Sequence, residues 1–514
     1  MLEIGEIISG EIHITHFGNM ILVPNDSKIE NPIYIKKNKR NKLLHLDIIK
    51  LRVISNNGGK IYGEFIELVE RPKVEYVGTI QLSNDFAFFI PDNKNVNVDF
   101  YVPLKKLNGA KNNDKVVVKI GEWSKKSKNP TASVTKVLGK SGDNDVEIHS
   151  ILEEYNLPYN FPQSVINESE LITNVITDKE ISKRLDLRDI LTFTIDGSDA
   201  KDLDDALSVN KVGDNIEIGV HIADVSFYVK PNSEIDKEAY KRGTSVYLVD
   251  RVIPMLPEKL SNDLCSLNPN TDKLVYSFIF TFNKEGKLIG EKFNRGIINS
   301  NYRLTYDEVQ KVIEGGGKIN DEVDSVILLL DKQAKKLRHL RNKNSSLNLN
   351  SREVKFNFNK KGEPVGVYYI EQKDSNQLIE EFMVLTNMRV CEFITKTNTP
   401  TLHRTHDTPD LNKLSSLKVF VESIGFRLDI DDSDKIKGNL NKLLENLKGS
   451  PEENIISSLV VRSMSKANYQ TLNIGHYGLG VEYYMHTTSP IRRYPDLIFH
   501  RIINSVLPNN GYIK

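Results

Sequence analysis

Apolar and polar residues alternate in short runs through roughly the first 140 residues. The runs "GEIHITHFGNMILVP", "DIIKLRVI" and "GKIYGEFIELVERP" come first. A period of two places every second side chain on one face, the mark of a half-buried strand. Gly, Asn and Asp separate the runs as turns. After Pro72 a similar cycle restarts with "EYVGTIQLSNDFAFFIPD", "DFYVPLKKL" and "DKVVVKIGEW". Each cycle is the size of a small five-stranded barrel of the OB type. The pattern therefore predicts two all-β barrels, over residues 1–72 and 73–140, with a linker over 141–184 that opens on "KSGDNDVEIHSILEEYNLPYNFP".

From residue 185 to 514 the pattern becomes mixed α/β. Strands are expected at 191–195, 206–209, 216–222 and 274–282. Helices follow, several with start signals. Thr305 and Glu308 form a capping box ahead of Val309, Val312 and Ile313, and Gly315–Gly317 ends that helix. Ser450, Pro451 and Glu453 supply a cap, a first-turn proline and a first-turn acid, and Thr408 with Pro409 repeats the device. Val323, Ile327, Leu330, Ala334 and Leu337 share one helical face within 322–341.

Composition narrows the classes. Of the 514 residues, 39% are hydrophobic and 27% charged, a soluble globular balance. Lys plus Arg and Asp plus Glu both number 69, so any basic surface for a nucleic acid has to be local. Two cysteines, Cys265 and Cys391, exclude a disulfide framework and lack zinc-site spacing; reduced, buried thiols are expected. With no signal-like N-terminus and no membrane-length apolar run, the chain is expected to be cytoplasmic, off the membrane and monomeric. In the second barrel, Phe86, Phe88 and Phe89 stand near Lys94, Lys105 and Lys106 in sequence. Rings that stack bases and lysines that neutralise phosphates suit single-stranded RNA. Alternation sends Phe86 and Phe88 to one face and Phe89 to the other, so barrel core is an equal reading.

The sharpest chemical signal is "TFTIDGSDAKDLDDALSV", Thr192 to Val209. Asp196, Asp202, Asp204 and Asp205 crowd one loop between two strands. An EF-hand fails on spacing. Counted from Asp196, Lys201 stands where glycine is required and Leu207 where glutamate is required; counted from Asp202, Leu207 again replaces the glycine. A solvated acidic loop stays open beside a second reading. Carboxylates held together repel unless a cation neutralises them, and hard oxygen donors suit Mg²⁺ or Mn²⁺. Such ions serve phosphodiester hydrolysis.

The run "IDGSDAKDLDDA" resembles the catalytic signature of the ribonuclease II/ribonuclease R (RNB) family. "GVHIADVSFYV", "RGTSVYLVDRVIPMLPEKLSNDLCSLNPN", "LIEEFMVLTN" and "HYGLGVEYYMHTTSPIRRYPDLIFHR" resemble further blocks of that family, in its order. The proline-containing final block is closer to the ribonuclease R branch. The resemblance implies two cold-shock-like barrels ahead of a mixed α/β, RNB-type catalytic domain. It implies metal-dependent, hydrolytic, 3′-to-5′ and processive degradation of single-stranded RNA to 5′-monophosphates. Asp196, Asp202 and Asp205 would hold Mg²⁺ or Mn²⁺, and Asp204 would position the water or the transition state. Arg492 would clamp a phosphate with its planar fork. Arg493 is a weaker substrate contact, with a salt bridge as the equal reading. Tyr247 and Tyr306 would contact the terminal nucleotides; for Tyr306, helix-start packing is the equal reading. Either Glu380 or Glu381 would reach the terminal nucleotide. The histidines, His221, His403 and His406 among them, are read as structural.

Two departures from the family stand out. Leu349 occupies a position where the family commonly has a base-stacking aromatic, with Asn348 and Asn350 where acids are common. The chain also stops at "NSVLPNNGYIK", where the family normally continues with last helices and a further OB-type domain. The catalytic domain is therefore expected to be incomplete, and, if the gene is split, a complementing C-terminal fragment is an expected partner. Two rival functions are a non-catalytic RNA-binding regulator on the same fold, which the intact acids oppose, and a different metal-dependent phosphohydrolase, which the tyrosine and arginine matches oppose.

Overall fold

The computed structural model describes residues 2–507 apart from 16–17, 27–28, 30, 36–41, 58–59, 125, 344–345, 348–352, 360–362 and 434. Leu349, Asn348, Asn350 and the last seven residues thus lie outside the described residues. The chain divides into two compact units, Met1–Tyr159 and Asn160–Lys514.

The first unit holds both β cycles. Strands β1 (Ile7–Ile14), β2 (Met20–Pro24), β3 (Ile33–Ile35), β4 (Ile48–Asn57) and β5 (Lys60–Glu70) close a barrel in the order β1-β2-β3-β5-β4. Alternation along β1 sends Ile8, Ile12 and Ile14 inward to meet Leu22, Ile33, Leu51 and Val53. Strands β6 (Glu75–Leu82), β7 (Ala87–Pro91), β8 (Phe100–Val102), β9 (Asp114–Ile120) and β10 (Ala132–Lys140) make a second five-stranded sheet ordered β10-β9-β6-β7-β8. A bridge from Tyr101 to Thr131 brings β8 back toward β10. The first strand of each cycle carries a glycine where strands press together. A Cβ on Gly10 would stand 2.2 Å from the Val23 carbonyl oxygen, and one on Gly78 would stand 2.1 Å from that of Ile90. Phe89 fills the second core with Tyr76 and Phe100, while Phe86 and Phe88 turn outward beside Tyr101. The stretch expected to be a linker instead begins with helix α1 (Asn144–Glu154), capped by Asp143 and packed on the second sheet.

The second unit begins with short helices α2 (Gln163–Leu171) and α3 (Asp178–Ile181). Its centre is a sheet of β11 (Leu185–Asp186), β12 (Thr192–Asp196), β13 (Asp205–Val212), β14 (Asn215–Ala223), β17 (Asp272–Phe282), β18 (Leu288–Asn299) and β19 (Tyr302–Thr305). The order is β11-β18-β17-β14-β13-β12-β19, with β11–β18 and β12–β19 parallel and the rest antiparallel. Between β14 and β17 lie α4 (Val225–Tyr228), α5 (Glu234–Arg242) and the ribbon β15 (Val246–Tyr247) with β16 (Val252–Ile253). After β19 come α6 (Tyr306–Ile313), α7 (Asp321–Lys343), the ribbon β20 (Glu353–Phe358) with β21 (Pro364–Ile370), and α8 (Asp374–Lys396). Then follow β22 (His403–Thr405), α9 (Leu411–Ser423), α10 (Ile436–Asn446), α11 (Glu453–Ser463), β23 (Asn468–Gln470) and α12 (Tyr494–Val506).

Both faces of the central sheet are covered, so its middle strands are buried along their length. Phe193, Ile195, Leu207, Tyr276 and Phe278 pack against α6, α7, α8 and α12. Ala206, Ala223 and Val275, the alternate positions, pack against Ile235 and Ala239 of α5, Leu260 and Leu497. Helices α9, α10 and α11 form a separate cluster around Leu414, Val421, Leu440 and Ile456. Both cysteines are buried free thiols. Among the described residues no helix is long and apolar enough to cross a membrane.

The capping box on α6 is present, with Thr305 and Glu308 bonding each other's backbone. The other two expected starts are displaced. Helix α11 begins at Glu453, beyond Pro451, and Glu453 accepts from the Gly449 amide at 2.7 Å. Helix α9 is capped by Asp410 rather than Thr408, through bonds from Asn412 N and Lys413 N. Pro409 holds the preceding backbone extended, which leaves the next acid to take the cap. Asp410→Ala should cost about 1 kcal/mol in a urea titration, whereas Thr408→Ala should cost less than half of that; equal losses would return the cap to Thr408.

Candidate active site

The four loop aspartates lie where β12 ends and β13 begins. Asp196 is the last residue of β12 and Asp205 the first of β13. The loop between them follows from local sequence: Gly, Ser and alternating acids cannot extend either apolar strand. Three buried tethers shape it. The Leu203 amide donates to Ser266 Oγ at 3.1 Å, and that hydroxyl donates to the Lys201 carbonyl at 2.8 Å. The Ala223 amide donates to the Asp204 carbonyl at 2.9 Å. Arg303 reaches from β19 and donates through Nη2 to the carbonyls of Ser198 and Ala200, at 3.1 and 2.6 Å. Neither Ser266 nor Arg303 was singled out from the sequence. Both stand inside or beside motif blocks, but only the folded chain shows what they hold.

A second segment closes on the loop from 287 residues away, with the Ile491 amide donating to Asp204 Oδ1 at 2.9 Å. Arg492 then stands with Nε 3.5 Å from Asp204 Oδ2 and donates through Nη2 to Ser489 Oγ at 3.0 Å. The segment is fastened along its length. Thr487 donates N–H and Oγ–H to Asn387 Oδ1, the Ser489 amide donates to Asp496 Oδ1, and the Ser245 amide donates to the Arg492 carbonyl. Arg493 turns inward to Asp496 Oδ1 at 2.8 Å. Asp496 is fully buried and Arg493 mostly so, and the pair anchors the segment from its buried acid end.

The tyrosines join the acids for different reasons. Tyr247, on β15, is half-exposed and donates to Asp202 Oδ2 at 2.9 Å. Tyr306 follows Thr305, which pairs in register with Asp196 across the parallel β12–β19 contact. That pairing brings Tyr306 to the acids, and burial together with Asp205 and Asp196 pushes its phenol up. Glu380 and Glu381 form a separate cluster on α8. Glu381 is buried and makes a two-pronged pair with Arg341, while Glu380 lies 3.7 Å from the same guanidinium and stays part-exposed. Among the described residues neither glutamate contacts the loop aspartates. The histidines keep structural partners: His221 sits between Ser208 and Ser277, and His403 faces Cys391.

Electrostatics mark the loop as under-neutralised. Burial, then Asp202, raises the Asp196 carboxyl to about 6. Burial raises Asp204 to about 8 against the pull of Arg492. Burial, then Asp196 and Asp204, raises Asp205 well above the usual range. Asp196 Oδ2 is buried with no hydrogen-bond partner. Among the described residues no three acids or imidazoles close into a finished metal cage, and Asp202 is turned to Tyr247. The donor set nevertheless fits a hard divalent cation: clustered carboxylates, one orphaned oxygen and mutual repulsion that a cation would relieve. A carboxyl raised on folding holds a proton that the unfolded chain releases, so it opposes folding as pH rises. Cation-free protein should therefore lose thermal stability from about pH 4 to about pH 8, and added magnesium should restore part of it at the upper end. A melting temperature independent of both pH and chelator over that window would contradict this reading of the loop.

A strand-rich unit followed in the chain by an α/β unit bearing an acid loop and an arginine segment is the arrangement that the cold shock and RNB family models match. The RNB domain model matches residues 184–509 and the cold shock domain model residues 88–162. Ribonuclease R of Thermotoga maritima is 37% identical over 99% of this chain and 72% of its own length. Ribonuclease R of Escherichia coli is 31% identical over 93% of this chain and 59% of its own. Mycoplasma genitalium RNase R, solved with ribose-methylated single-stranded RNA, superposes with a TM-score of 0.91 over 97% of this chain and 79% of that one, at 26% identity. Yeast Ssd1, a pseudonuclease, shares the fold at a TM-score of 0.72 and 19% identity, covering 97% of this chain and 69% of that one. The chain belongs to the RNB family, in its ribonuclease R group.

Proposed function

We propose that this chain is a 3′-to-5′ exoribonuclease that hydrolyses single-stranded RNA processively to nucleoside 5′-monophosphates. The observation that carries the reading is the direct bond from Ile491 to Asp204, which sets Arg492 beside the acid loop. Water adds across the terminal phosphodiester; the P–O3′ bond breaks, releasing a 5′-monophosphate and leaving a new 3′-hydroxyl. Asp196, Asp202 and Asp205 would hold Mg²⁺ or Mn²⁺, which would supply water activation and charge neutralisation at the leaving oxygen. Asp204, oriented by the Ile491 amide, accepts a proton or orients the attacking water. Arg492 grips the phosphate through its planar fork. Tyr247, held on Asp202, offers its ring to the terminal nucleotide. Tyr306 borders the acids. Of the two glutamates, Glu380 is the better placed to reach a ribose, because it is part-exposed and only 3.7 Å from Arg341, whereas Glu381 is buried and bonded to it. The outward Phe86, Phe88 and Tyr101 rings offer a stacking surface for incoming bases.

Incubating the chain and Mg²⁺ with 5′-labelled single-stranded RNA, and separately with its DNA counterpart, tests the proposal. A progressive ladder from the 3′ end of RNA alone supports it. RNA binding without cleavage assigns the chain to the pseudonuclease role instead, and internal cuts or equal DNA cleavage assign a different phosphohydrolase.

A further inference from the structure

Arg303 does more than shape a loop. Its Nη2 is occupied by the carbonyls of Ser198 and Ala200, yet no carboxylate forms an ion pair with it among the described residues. Its Nε and Nη1 have no partner among the described residues, and the residue is exposed. Register fixes where this free edge lies. Arg303 pairs with Thr194 in the parallel β12–β19 contact, two positions before Asp196. Arg492 approaches the same acids from the other segment and is held by Asp204 and Ser489. Both guanidiniums bear on Asp196. Closing two backbone carbonyls needs only neutral donors, which an amide side chain supplies. A guanidinium brings a permanent charge and a planar set of spare N–H groups, the equipment for a phosphate.

We propose that Arg303 is a second phosphate-binding arginine, gripping the RNA backbone at the linkage next to the one held by Arg492 while its inner nitrogen fixes the acid loop. The proposal rests on the reading of the loop as an RNA phosphodiester site. It gives the site two cationic clamps from separate elements, so that a strand is aligned by two consecutive phosphates before the terminal linkage meets the acids. A one-phosphate grip leaves the strand free to pivot; a two-phosphate grip does not.

The test uses the full chain carrying Asp204→Asn to prevent cleavage, with 5′-fluorescein single-stranded RNA followed by anisotropy. Salt is varied from about 50 to 300 mM. Arg303→Gln keeps donors for the two loop carbonyls and removes the charge; Arg303→Lys keeps the charge. Arg303→Gln should weaken binding about tenfold and lower the slope of log affinity against log salt by about 0.7, one single-strand phosphate contact. Arg303→Lys should keep the slope. An unchanged slope in Arg303→Gln, with or without weaker binding, overturns the proposal and leaves Arg303 a loop clamp only. Should Arg303→Gln fail to fold, RNAs with a methylphosphonate at each 3′-terminal linkage in turn decide the matter on the chain with Arg303 intact. Two adjacent sensitive linkages support the proposal, and a single one overturns it. The 3′ ladder of the unsubstituted chain is read separately: a ladder with an unchanged slope sinks only Arg303, while no binding and no ladder sink both readings.

Discussion

Asp204→Asn should lower RNA turnover by at least about 10³-fold while leaving RNA affinity within about twofold. The substitution is isosteric. The amide oxygen still accepts from the Ile491 backbone, so the arginine segment stays docked. What disappears is the negative charge 3.5 Å from Arg492 and the ability to take a proton or orient water as a carboxylate. Because burial already raises Asp204 to about 8, asparagine also imitates the protonated form that the cation-free fold prefers. Thermal stability without magnesium should therefore hold or rise, which separates lost chemistry from lost structure. Single-turnover decay of labelled RNA, anisotropy and melting on one preparation measure all three. Retention of a tenth of the activity would remove Asp204 from the chemistry.

Asp496→Ala should destabilise the protein by about 3–5 kcal/mol, the cost of stranding one member of a buried ion pair. Asp496 is fully buried, and its Oδ1 accepts both from Arg493 and from the Ser489 amide. Removing it leaves a part-buried guanidinium and a buried amide without an acceptor, at the foot of the segment that presents Arg492. RNA turnover should fall with stability, although residue 496 touches no reacting atom. Replacing both partners by apolar residues, Asp496→Leu with Arg493→Met, should recover more than half of the lost stability, since removing a buried pair together is far less costly than breaking it. Urea titrations of the two variants check this. A loss under about 1 kcal/mol in Asp496→Ala would mean that Arg493 faces solvent or substrate rather than the interior.

Much of this protein is legible along the chain because its signals are local. Period-two alternation mapped the barrel strands and split Phe89 from Phe86 and Phe88; packing against Tyr76 and Phe100 decided that Phe89 is the one inside. The acid loop announced itself by charge density that no packing role requires. The capping box at Thr305 was readable because both halves lie within four residues. Where the chain misled, neighbouring residues competed for one role: Asp410 took the cap offered to Thr408, and residues 141–184 carried helices despite their turn-rich opening.

Residue types alone determined that acids, tyrosines and arginines able to serve a phosphodiester site are present, because each side chain's chemistry is intrinsic. Which of them meet was decided by tertiary structure. Parallel register carries Tyr306 and Arg303 to Asp196, a backbone amide from residue 491 finds Asp204, Asp496 draws Arg493 inward, and Arg341 bonds Glu381 closely while Glu380 stays part-exposed at 3.7 Å. These outcomes depend on distance and desolvation at separations from three residues, for Arg493 and Asp496, to 287, for Ile491 and Asp204, and neither quantity exists until the fold has formed and buried them.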